Sequence, residues 1–272
     1  MAVELSRELR RLSSQLRFER HAKRLRAELG DAPVLDSRRA VVLWEPQRHL
    51  PVHAAPEDDV VARLEAFTPP GPDDAESPPD RTGPPSSPLP FSPHTADGER
   101  LTVAAGAHRA PDAAFRLADP DLAGYIAFDT DSFTWREEDE PVIGHPRDPL
   151  SRIDIRASSA HVRVLLDGVV LADSHRTARL FESRLPPRTY FPREDIRWEA
   201  LEPDPLRTVC PYKGTARYWS APGLGDGRPV AWSYGSEMPE MVQIHERVAF
   251  FDERTDVELD GVPQPHVRTA WS

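Results

Sequence analysis

The chain has 272 residues, 30 of them proline, with 39% hydrophobic and 29% charged residues and a formal charge of −11. No run approaches the ~18 apolar residues of a membrane-spanning helix, and the acidic balance argues against broad nucleic-acid binding, which needs a basic face. Cys210 is the single cysteine, so an intrachain disulfide and a cysteine-rich zinc site are excluded. The opening Met-Ala-Val-Glu-Leu-Ser-Arg-Glu carries charge where a secretion signal has its apolar stretch, so the expected location is cytoplasmic.

Residues 1–30 read as an N-terminal amphipathic helix spanning 3–29. Leu5, Leu9, Leu12 and Leu16 recur at helical spacing, Leu25 and Leu29 resume it, and Gly30 suits a C-cap. Its arginines outnumber its glutamates. That admits a nucleic-acid or membrane-surface helix, but pairing with the acidic body of the protein is the reading favoured. Residues 34–150 are expected to form a first β domain, with Val41–Trp44 as its opening strand and Val60–Phe67 as a helix. Within it, ten prolines between Pro69 and Pro93 predict a long disordered loop, because proline lacks an N–H and fixes φ.

Residues 157–263 are expected to form a second β domain. Residues 161–173 read as two strands around Asp167-Gly168, the preferred pair for a tight hairpin turn. A short helix capped by Ser174 and anchored by Leu180 and Phe181 follows. Strands are then expected at 188–193, 207–210, 215–220, 230–234, 242–245, 247–251 and 256–259. The fold class is therefore mainly β: two tandem compact antiparallel domains, an N-terminal helix and a proline-rich loop. Internal similarity supports the tandem. Residues 119–135 parallel 236–251, Ala114–Leu117 matches Ala231–Tyr234, and Thr102–Ala104 is set against Thr208–Cys210. The first copy lacks the cysteine, the lysine and the Tyr-Trp pair, which assigns any chemistry to the second.

Thr208-Val-Cys-Pro-Tyr-Lys-Gly214, with Tyr190-Phe-Pro-Arg-Glu-Asp195, Ala216-Arg-Tyr-Trp219, Ala231-Trp-Ser-Tyr234 and the closing strand to Phe251, resembles the bacterial domain of unknown function numbered 427. The resemblance is good over about 160–262 and degenerate over about 34–150. It implies a small β-rich domain, often in tandem, with no reaction securely attached. A nucleotidyltransferase-like label goes with the family. For that chemistry the second copy offers only Gly235-Ser236 and the pair Asp256 and Glu258, a weak Mg²⁺ motif at unusual separation.

Physically, Pro211 fixes an extended Cys210 at a strand end, and a nearby lysine favours a thiolate. Cys210 and Lys213 are therefore the catalytic candidates, with His245 or Glu246 as a base. Tyr190, Tyr212, Tyr218 and Tyr234, with Lys213 and Arg193 as cationic anchors, are the candidate wall of a pocket for a small anionic ligand such as a nucleotide or phosphorylated metabolite. The competing reading makes these residues core of a structural or interaction module, since one face of each sheet must be buried. The ten histidines show no ligand spacing, so neither a metal nor a cofactor is expected.

Overall fold

Alternating apolar residues dominate where the computed structural model builds strands; it describes residues 2–69, 90–183, 185–235 and 238–269. The chain divides into two units between Pro149 and Leu150. Helix α1 covers only Leu5–Leu12, a correction to the helix expected over 3–29. The Ser13 and Ser14 hydroxyls donate to the carbonyls of Arg10 and Arg11 and draw them from the helical ladder. Beyond them lie strands. Leu25 and Ala27 point inward while Arg26 and Glu28 point out. A spacing of four keeps two leucines on one face of a helix or of a strand, which is why Leu25 and Leu29 suited both.

In the first unit the strands are β1 (Arg17–Arg20), β2 (Leu25–Leu29), β3 (Ala32–Ser37), β4 (Val41–Trp44), β5 (Val52–Pro56), β6 (Arg63–Ala66), β7 (Gly98–Ala105), β8 (His108–Leu117), β9 (Tyr125–Phe128), β10 (Thr134–Glu137) and β11 (Glu140–Pro141). They make a seven-stranded sheet in the order β1-β4-β5-β9-β8-β7-β6 and a four-stranded sheet β11-β10-β2-β3. Val41–Trp44 is thus the fourth strand, and the helix expected at 60–67 is the strand β6. Leu25, Val34, Leu101, Ile126 and Phe128 lie in the core that includes both sheets, and Val41, Leu43, Phe115 and Ala127 form a second cluster. Of the proline-rich segment, residues 70–89 lie outside the described residues. Its end packs: Phe91 is buried, and Arg48 donates to the carbonyls of Pro90 and Phe91.

The second unit has β12 (Ile153–Ser158), β13 (Val162–Leu166), β14 (Val169–Ser174), β15 (Thr177–Glu182), β16 (Arg188–Phe191), β17 (Glu202–Cys210), β18 (Gly214–Ser220), β19 (Ala231–Tyr234), β20 (Val248–Phe250), β21 (Asp256–Leu259) and β22 (Val262–Pro263). The helix expected after Ser174 is strand β15, with Ala178 and Leu180 buried and Phe181 turned outward. Ser174 does accept a backbone N–H, from Arg176, but within a turn between strands. Residues 239–244 form a 3-10 segment beginning at Pro239 where a strand was expected.

These strands form sheets in the orders β12-β15-β16-β20-β19-β18-β17 and β14-β13-β21-β22. That repeats the first unit strand for strand. Register agrees too: Ala114 faces Phe128 as Ala231 faces Phe250, and Ala54 faces Ala127 as Tyr190 faces Ala249. A side-chain clasp recurs as well. Ser37 donates to Asp59, which also holds Arg39, and Ser174 donates to Asp195, which also holds Arg176. The same comparison corrects one pairing: Thr102–Ala104 lies in β7, which corresponds to β18, whereas Thr208–Cys210 lies in β17, the counterpart of β6.

Candidate functional site

Edge strand β17 tolerates Pro203 and Pro205, because one of its sides makes no ladder. It ends at Cys210, whose carbonyl accepts from Lys213 N at 3.3 Å. Gly214 then opens β18 with φ +92°, a conformation that a side chain would resist. Lys213 is thereby aimed off the strand ends and over one face of the sheet. Its ammonium donates to Glu182 Oε2 at 2.5 Å, both side chains being 9% exposed.

Glu182 closes β15, four places from β18 in the sheet order. A flat sheet would separate these strands by about 19 Å. The ion pair bridges them because the sheet bends back over this face. Inside the bend alternation places Tyr190, Trp232, Tyr234, Ala216, Ala249 and Phe251, with Cys210 and Tyr218 packed against them. The other face carries Phe191, Ala231, Val248 and Phe250 against the four-stranded sheet.

The polar groups of this face are few and committed. Trp232 Nε1 donates to the Tyr190 hydroxyl at 3.2 Å, and the Tyr218 hydroxyl lies 2.7 Å from Thr208 Oγ1. Burial pushes the Tyr190 hydroxyl up to about 12 and raises those of Tyr218 and Tyr234, so all three remain protonated at neutral pH. Burial by itself would lower the Lys213 ammonium, but Cys210, Glu182 and Tyr190 outweigh it and hold it above its usual value. Arg188 grips Glu253 through two bonds of 2.6 and 2.9 Å, and its guanidinium stands 5.5 Å from the Trp232 ring.

Lys213, Cys210, Tyr190, Tyr218 and Tyr234 are brought together on this face. Tyr212 is half-buried in the turn beside them. Arg193 is not among them. Its guanidinium stacks 4.4 Å over Trp198 and 6.0 Å from Trp219, which alternation directs away from Tyr218. His245 has its Nε2 bonded to the Met238 carbonyl at 2.9 Å. Glu182 was not anticipated from sequence, because it fell in the segment read as a helix. The signal was the alternation of Ala178 and Leu180 with Arg179 and Phe181, which continues to Glu182.

The first unit carries a related feature. Glu45 occupies the register place of Glu182, one residue beyond β4. His94, from the connection between β6 and β7, meets it with Nδ1 at 2.8 Å, and the amides of Thr95 and Ala96 donate to its other oxygen. Burial alone would raise this carboxyl, yet these partners hold it below its ordinary value. His94 stacks on Phe115, the counterpart of Trp232, with centroids 3.7 Å apart.

The signature turn and its surrounding strands fall within one recognised domain. Residues 154–261 match the family model of a domain of unknown function, DUF427. The label of that family is NTP_transf_9. No curated protein matches the sequence. No helix among the described residues is long and apolar enough to cross a membrane. Near the end of the matched segment, Asp256 is bonded to His266 at 3.0 Å and Glu258 to Arg163 at 2.8 Å, so each carboxylate already has a side-chain partner.

Proposed function

We propose that the DUF427 domain binds a small anionic molecule on the bent face of its seven-stranded sheet, with Lys213 as anchor and Tyr190, Tyr218 and Tyr234 as walls. The reading is carried by the convergence of a buried ammonium, a half-buried thiol and three protonated phenols. Buried ion pairs contribute little net stability, so keeping one among aromatic side chains is expensive unless it serves recognition or shape. Glu182 neutralises Lys213 in this state, and an incoming carboxylate or phosphate competes with it for the ammonium. Cys210 beneath is a candidate nucleophile only when a ligand carries an electrophile to it.

The test is a melting screen of the whole protein against nucleotides and phosphorylated metabolites, repeated on Lys213→Ala and Glu182→Gln. An anion that stabilises the wild type should lose its effect in Lys213→Ala and bind about tenfold tighter in Glu182→Gln, one charge interaction being worth ~1.4 kcal/mol. No shift with any compound, or equal shifts in all three proteins, rejects the reading.

A second reading is favoured by Glu45 and His94, which close the same place in the first unit without the cysteine or the tyrosines. Here Lys213–Glu182 is a staple that holds the sheet in its bend, and the tandem is a structural or interaction module. It expects Lys213→Ala to cost about 3–5 kcal/mol, the usual effect of stranding one buried charge, with no change in any binding. The nucleotidyltransferase-like alternative is less well supported, since Asp256 and Glu258 are occupied by His266 and Arg163. The shared strand order, register and Ser-Asp-Arg clasp support reading the first unit as a diverged copy of the second.

A further inference from the structure

In the first unit, His21, His53 and Glu137 come from three separate parts of the sequence and meet at one point. His21 follows β1, His53 lies in β5, and Glu137 ends β10. His53 is wholly buried, and neither of its ring nitrogens has a hydrogen-bond partner. Its Nε2 faces Glu137 Oε1 at 3.6 Å, beyond hydrogen-bonding range. An orphaned imidazole in a core is costly and calls for an explanation.

His21 faces the same carboxylate oxygen from a second direction. Its Nδ1 lies 3.1 Å from the Lys23 carbonyl, which can only accept, so Nδ1 carries the hydrogen. In a neutral ring Nε2 then presents a lone pair, and it points at Glu137 Oε1 at 2.9 Å. Two acceptors this close need a positive species between them, either a proton on the ring or a metal ion in its place. A backbone carbonyl fixing the far nitrogen of an imidazole is also the usual support of a metal-ligating histidine.

We propose that His21 Nε2, His53 Nε2 and Glu137 Oε1 form a site for a divalent transition-metal ion of the zinc type. Bonds of about 2.0–2.1 Å around a tetrahedral ion place ligand atoms ~3.3 Å apart. The separations of 2.9 and 3.6 Å bracket that value, and all three atoms lie within 4.8 Å of one another. Two imidazoles and one carboxylate are a donor set suited to zinc, with a fourth position left for water. Lys23, half-exposed, bonds the outer oxygen of Glu137.

The second unit argues that this is an addition to the fold and not a requirement of it. By strand register the counterparts are Ser158, Thr189 and Leu259, and none of these is a metal ligand of comparable strength. Thr189 and Leu259 line a cavity of about 190 Å³ there. The same architecture therefore stands without the cluster. Histidine spacing along the sequence concealed the site, because its ligands are 32 and 84 residues apart.

The test is titration of the whole protein with Co²⁺, whose visible absorption reports ligand geometry, followed by displacement with Zn²⁺. One equivalent with the bands of a four-coordinate ion is expected in the wild type and in Cys210→Ser. The bands should vanish in His53→Thr and Glu137→Leu, which install the residues of the second unit, with circular dichroism checking that each variant is folded. If either variant unfolds, His21→Ser provides the same test. Absence of stoichiometric Co²⁺ uptake by the wild type, retention of the bands in folded His53→Thr, or their loss in Cys210→Ser overturns the proposal.

Discussion

Asp252 follows β20 and lies 3.6 Å from Arg188, yet burial outweighs that neighbour and pushes its carboxyl up to about 6. An acid whose folded value exceeds its ordinary 3.8 holds its proton in the folded state while the unfolded chain releases it. Between these two values the folded state binds more protons, so stability falls as pH rises, and above about 6 the full penalty applies. The shift corresponds to about 3 kcal/mol at most. Asp252→Asn should therefore stabilise the protein at pH 7.5 and change little at pH 3.5. Urea unfolding at the two pH values measures this; a stabilisation equal at both would remove burial as the cause. At the same scale, the Lys213 and Glu182 variants separate an anion anchor from a staple.

At the scale of elements, turns were the most legible feature. Asp167 and Gly168 have φ of 49° and 79°, the conformation that Asp-Gly favours between two apolar strands. Nothing lies within 4 Å of the Cβ that Gly168→Ala would add. That substitution should cost about 1 kcal/mol through backbone strain alone, read from the shift in urea midpoint at constant slope. A loss of 3 kcal/mol or more would mean that the hairpin itself rearranges. The mainly β class and the second unit's hairpins were readable because Val, Tyr, Trp and Phe alternate across turn signals. Two of the three misread helices share one cause: Leu25–Leu29 and Thr177–Glu182 contain spacings that fit either period. The shared face of Cys210, Tyr190, Tyr218 and Tyr234 follows from strand alternation, and Lys213 joins it from the turn before Gly214. Glu182, Glu137 and His53 were not legible, since contacts across a sheet depend on strand order, which local periodicity does not encode.

At the scale of the whole molecule, each hydrophobic cluster draws its residues from one unit only. Residues 150–272 alone should therefore fold, giving a β-type circular dichroism spectrum and a cooperative melt; a fragment without cooperative melting would show that its core is not self-sufficient. The connection between β6 and β7 has a kinetic consequence. It runs from Phe67 to Asp97, 31 residues, where β17 and β18 are joined by the three residues Pro211–Lys213. Closing the longer loop costs about 2 kcal/mol more in chain entropy, which makes chance encounter of its two strands roughly thirtyfold rarer. Two units of one topology should therefore refold on different schedules, since rate follows the sequence distance between contacts. In pulsed hydrogen exchange the amides of edge strand β17 should be protected before those of edge strand β6. The length of this one connection thus acts on the order in which the strands come together.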